Sequence, residues 1–251
     1  MCCFSGPVDR VADTRIFARH SRVGTQFLVY SMTYAAKQEV AMILPIPTIP
    51  LLAEPLRFIN LSAYPDFFDD MNRGFPRPPA LEGIGRAGFG AGGAATLPVH
   101  EVGDFVASFV PTIDDFRRLD RRFTLPRQTW LRIPAYQKYS FAVFQLLPTS
   151  RGKKVHPMAF DFVTAMPDRL YFPTVHIHDG QVHPREHFDH ALYFQASRIV
   201  RAPASVAASS GEAQRFLDMG RVQGVVAGAE RCFKMSLQGM LRNQDTLVRV
   251  A

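Results

Sequence analysis

The chain has 251 residues, 47% hydrophobic and 20% charged, the composition of an ordinary folded protein with enough length for a substantial core. No apolar run approaches membrane-span length and no basic n-region leads into an apolar h-region, so the expectation is a soluble, cytoplasmic protein without a membrane span. The formal net charge of +7 is spread along the chain, which makes nucleic acid an unexpected ligand.

Three cysteines, Cys2, Cys3 and Cys232, are too few and too odd in number for a disulfide framework. Phenylalanine is abundant, at 21 residues against one tryptophan, and falls in short runs with β-branched neighbours, which favours strands. Period-two patterning predicts strands over 14–19, 26–33 and 39–44, the third stopped by Pro45 because proline lacks a ladder donor. A further strand fits 57–61, and Pro65 opens a short helix over 64–71.

Residues 74–98 differ in kind, being rich in Gly, Pro and Ala, and read as a loop able to carry contacts with a protein partner. Gly83-Ile84-Gly85-Arg86-Ala87-Gly88 inside it matches a dinucleotide fingerprint in letters only. Prolines precede it where a strand is required, and more glycine follows where a helix is required.

Beyond the loop come a strand over 105–110 and a charged helix over 113–122. In that helix Phe116, Leu119 and Phe123 recur at i, i+3 and i+7, and Asp114 and Asp115 precede the arginines by three or four positions. This is the pattern of a solvated helix face. Strands are predicted over 140–146, 158–163 and 169–177. Residues 202–211 read as a small-residue linker, 212–219 as a short helix, and 231–237 and 246–250 as strands.

Five of the eight histidines lie between His176 and His190. Asp179-Gly180 suits a two-residue hairpin turn, which would set Ile177 opposite Val182 and His176 opposite His183. His176, His178 and His183 then share one face as candidate metal ligands, with His187 and His190 as further candidates. Neutral imidazoles suit zinc, copper or iron, and Glu186 or Asp189 would orient a ring or act as acid or base. The His-x-His is similar to the cupin pattern, although His183 stands where cupins have a glutamate. With no metal, the same histidines decorate a solvent-facing hairpin. The isolated His20, His100 and His156 read as structural.

Several short motifs occur in a familiar order. Val40-Ala41-Met42-Ile43-Leu44-Pro45-Ile46-Pro47 is followed by Val102-Gly103-Asp104-Phe105, by Leu119-Asp120, and by Tyr139-Ser140-Phe141-Ala142-Val143-Phe144-Gln145-Leu146. His156-Pro157-Met158 and Leu170-Tyr171-Phe172-Pro173 complete the series. Over roughly residues 1–175 the chain resembles a bacterial family of unknown function, DUF2330. The resemblance implies a fold shared within that family and supplies no activity. Family members look exported, with cysteines behind a signal peptide, whereas this chain begins Met1-Cys2-Cys3.

Removal of Met1 would leave Cys2 with a free α-amine that can serve as the base for its own thiol, as in N-terminal-nucleophile hydrolases. Glutamine amidotransferases also begin Met-Cys, but continue with glycine where this chain has Cys3. The catalytic candidates are therefore Cys2 and Glu186, with no cofactor-binding residue identified.

The expectation is an α+β, mainly β fold: antiparallel hairpins in one or two sandwich-like sheets with a few short edge helices. An N-terminal β-rich half (1–73), the loop (74–98), a second β-rich half with the histidines (99–201) and a C-terminal segment (202–251) form one compact domain. Three functions follow as expectations: transition-metal binding at the histidines, an N-terminal-cysteine hydrolase using Cys2, and a metal-free interaction or scaffold protein.

Overall fold

The computed structural model describes residues 3–22, 24–48, 55–75, 99–102 and 105–251. Before the 74–98 region the strands are β1 (Cys3–Phe4), β2 (Arg10–Arg22), β3 (Thr25–Ala36), β4 (Val40–Ile46) and β5 (Leu56–Asn60), followed by helix α1 (Phe67–Arg73). After it come β6 (Val99–Val102), β7 (Phe105–Val110), the short helix α2 (Arg127–Leu131), β8 (Ser140–Leu146), β9 (Thr149–Lys154), β10 (Met158–Val163) and β11 (Arg169–Phe172). The chain continues through β12 (Arg185–Gln195), β13 (Ile199–Arg201), β14 (Ala207–Glu212), β15 (Arg231–Arg242) and β16 (Thr246–Val250). The fold is mainly β with few short helices, as the composition implies, and no helix among the described residues is long and apolar enough to cross a membrane.

Strands from both ends of the chain share each large sheet. One sheet runs β1-β4-β8-β7-β6. The other runs β14-β15-β12-β2-β3-β10-β5 with β9 also on β3, and β11-β16-β13 forms a small third sheet. The named strands pair antiparallel except β2 with β12, which run parallel from Arg15↔Ala191 to Arg19↔Gln195.

Period-two alternation sorts the side chains into layers. On β4, Val40, Met42, Leu44 and Ile46 enter the central core, while Ala41 and Ile43 face outward. On β3, Leu28, Tyr30 and Met32 enter that core, while Phe27 and Val29 face the other way. Each outer face is covered over much of its area. α1 and residues 213–226 cover the eight-stranded sheet with Phe67, Phe68, Met71, Leu217 and Val225. Residues 113–138 cover the five-stranded sheet with Phe116, Phe123, Trp130 and Tyr136. Sheets buried on both faces read as continuous apolar runs, which explains stretches such as 40–44 and 141–144.

Several expectations change. Pro45 sits inside β4 opposite Phe141; β1 reaches only Met42 and Ile43, so the missing donor falls where no described strand flanks β4 on its other side. The charged helix over 113–122 is two 3₁₀ turns, Ile113–Arg118 and Arg121–Phe123. Asp120 breaks it by accepting the Arg122 backbone N–H and so capping the second turn. The 202–211 linker contains β14, and the helix over 212–219 reduces to the 3₁₀ turn Ala213–Arg215. Trp130 lies on α2.

Candidate functional site

The expected hairpin at Asp179-Gly180 is absent. β11 ends at Phe172 and the next strand starts only at Arg185, so His176 does not pair with His183. The chain still bends here, but as an Asx turn and not a type I′ hairpin turn: Gly180 has φ +77°, Asp179 is not at positive φ, and the Gln181 N–H donates to Asp179 Oδ1 at 2.9 Å. In place of a ladder, the side chain of Asn243 spans the gap. Its Oδ1 accepts the His176 N–H at 2.7 Å, and its Nδ2 donates to the carbonyls of His176 at 3.0 Å and His183 at 2.9 Å. Thr129 on α2 donates its hydroxyl to the Gly180 carbonyl at 2.9 Å, anchoring the turn against the outer cap.

The histidines divide into an inner and an outer set. His176 and His190 are fully buried. His176 is stacked between His178 (centroids 5.5 Å, 16°) and His190 (5.1 Å, 10°), and its ring also meets Phe188 at 4.2 Å. His178 meets Phe4 edge-on at 5.7 Å. Burial drives His176 far down from the usual imidazole range and pushes His178 down to about 4, so both are neutral near pH 7.

His183 lies outside this stack, half exposed, with Nε2 3.0 Å from Asp179 Oδ2. That hydrogen bond holds His183 above its ordinary value and Asp179 below its own. His187 is exposed on β12. The three sequence candidates therefore do not share a face. Among the described residues no group of three or more His, Cys, Asp or Glu is placed to hold a metal.

The remaining described candidates, and Cys232, lie on β12 and β15. Glu186 pairs along β12 with Leu241 of β15. The Asp189 carboxylate accepts the backbone N–H of Asp13 at 2.9 Å, and Asp13 is the positive-φ residue of a bulge in β2. Cys232 is buried, and burial pushes its thiol up to about 12, which removes its nucleophilic form at neutral pH. Cys2, Met1, the Gly83–Gly88 motif and residues 76–98 of the loop lie outside the described residues.

Beside the inner histidines is a polar centre that the sequence did not reveal. The Asp245 carboxylate, in the turn between β15 and β16, accepts the hydroxyls of Tyr136 and Tyr171, both at 2.9 Å on Oδ2. Its Oδ1 accepts the backbone N–H groups of Thr174 at 3.0 Å and Val175 at 3.3 Å. The residue as a whole is only partly buried, but its carboxylate is enclosed by these donors. Burial raises it to about 6, against the lowering effect of its four hydrogen bonds. Both phenols are driven well above their usual value, burial again being the largest cause, and Cys3 is near enough to add to the effect. Asn243 and Asp245 thus tie the segment 174–183 down from one turn. The only cue in the sequence is an Asn-Gln-Asp triplet between two alternating runs.

No protein-family model matches the chain, and no curated protein matches it. Among solved structures, the chain is similar to the crystal structure of baculovirus P35, with a TM-score of 0.51 at 10% identity over 99% of both chains. The caspase-8/P35 complex matches at a TM-score of 0.48 and 11% identity, over 95% of this chain and 96% of that one. A mutated baculovirus P35 after caspase cleavage matches at 0.45 and 11% identity, over 96% of this chain and 100% of that one. At such identities the likeness to P35 is one of fold: this chain shares the β-rich architecture of P35.

Proposed function

We propose that this chain is a protein-binding protein, working through its surface and needing no metal. The observation that supports this reading is the full-length fold likeness to P35, at a TM-score of 0.51. The histidines fit it, because the inner set is stacked and enclosed, as packing residues are. P35 itself has been crystallised with caspase-8 and after caspase cleavage, which makes a caspase the first class of partner to try.

The test is to mix the purified chain with active caspase-8 and follow complex formation by size-exclusion chromatography, with protease activity and the mass of the chain read alongside. A stable complex, lost when residues 76–98 are shortened, supports the proposal. A chain that neither associates with the protease nor alters its activity counts against a caspase partner. Elemental analysis on the same tag-free sample separates the metal reading: a stoichiometric metal lost in His176→Ala/His178→Ala would favour that reading instead.

A further inference from the structure

The cap on the five-stranded sheet contains a groove of about 410 Å³, floored by Phe116, Leu125 and Trp130 and rimmed by Arg117, Arg121 and Arg127. Trp130 is only 1% exposed and stacks on Phe116 with ring centroids 5.4 Å apart. Its indole Nε1–H is buried with no hydrogen-bond partner among the described residues.

The rim is electrostatically unbalanced. Arg127 is paired with Asp114 at 2.6 Å, Arg118 with Asp115 at 3.4 Å, and Arg122 with Asp120 and Glu39. Arg117 and Arg121 are exposed and have no carboxylate partner among the described residues. An apolar floor and two unneutralised guanidiniums therefore meet in one place. A phosphate backbone would use the arginines but not the apolar floor; a peptide with an apolar side chain between acids uses both.

We infer that this groove binds an acidic peptide segment of a partner protein. One apolar side chain rests on Phe116 and Leu125, and carboxylates meet Arg117 and Arg121. The inference rests on the protein-binding reading above and names the chemistry of one contact.

The chain has a single tryptophan, so its intrinsic fluorescence reports on this groove directly. The probe is a blocked Glu-Phe-Glu-Leu-Glu pentapeptide, titrated into the full chain at low ionic strength. The expected result is a saturable change in emission that weakens with salt. Arg117→Glu/Arg121→Glu should weaken binding by about tenfold, two exposed ion pairs being worth about 1.4 kcal/mol together. Unchanged circular dichroism of that variant shows that its fold is intact. The inference fails if no saturable change appears, if a Lys-Phe-Lys-Leu-Lys peptide binds as well, if the double variant binds equally, or if an oligothymidine displaces the peptide. Peptide binding without a caspase-8 complex would overturn the protease partner and keep the groove. A caspase-8 complex without peptide binding would overturn the groove alone.

Discussion

Asn243 makes three hydrogen bonds where a hairpin ladder was expected, two of them to the backbone of one histidine. Removing its amide leaves those backbone groups to find new partners, at about 1 kcal/mol each. Asn243→Ala should therefore lower stability by about 2–3 kcal/mol, read as a drop in the urea midpoint with an unchanged slope. Asp13 gives the opposite sign. It sits at φ 53° with its N–H held by Asp189, so Asp13→Gly should be neutral or stabilising by up to about 1 kcal/mol in the same measurement. At this scale the sequence was partly legible. The Asp179-Gly180 turn could be read because its cause is local, a glycine at positive φ and a side chain closing its own turn. The pairing expected beyond it could not, because what replaces it comes from Asn243, sixty residues or more along the chain.

Elements with a clean alternation or an uninterrupted apolar run announced themselves best. β7, β8, β10 and β16 fall on their expected bounds, since their alternation or apolar runs bound them without help from distant chain. β12 escaped, although residues 191–194 are an apolar run, because the histidines before it suggested a surface hairpin. It is an interior strand, flanked by β15 and β2. The 3₁₀ turns over 113–123 show the limit of periodicity: the apolar spacing fits an α-helix, and a single capping aspartate overrides it. The junction of α1 with the C-terminal segment was equally hidden. A Cβ at Gly74, the residue closing α1, would lie 2.6 Å from two carbons of the Phe216 ring. Gly74→Ala should cost about 1–3 kcal/mol by thermal unfolding, and Gly74→Ala/Phe216→Leu should recover part of that loss.

At the scale of the whole molecule, groups with opposite linkage titrate over the same range. His178 ordinarily protonates near 6.5 and in the folded chain only near 4, so the unfolded state binds more protons between these values and acid favours unfolding. Asp245 works in the other direction. Raised from 3.8 to about 6, it takes up a proton in the folded state first, and folding gains as the pH falls from about 6 toward 4. Each is worth about 3 kcal/mol and the two nearly cancel, so His176, also strongly depressed, decides the sign. Stability should therefore fall on acidification from pH 6.5 to 4.5, and fall more steeply in Asp245→Asn, when urea midpoints are compared at several pH values. A flat or rising profile in the unmodified chain would contradict this assignment.

The parallel junction of β2 with β12 also bears on time. β2 and β3 can zip together as soon as residues 10–36 exist, but β2 then exposes an open edge whose proper neighbour is residues 185–195. On a ribosome that edge waits through the synthesis of most of the chain, and in a refolding tube it waits for a contact of very long sequence separation, the kind that slows folding most. In that interval the unpaired edge of β2 can template association between chains. Refolding yield should fall with protein concentration, and a peptide spanning 185–195 supplied in trans should compete with the chain's own β12.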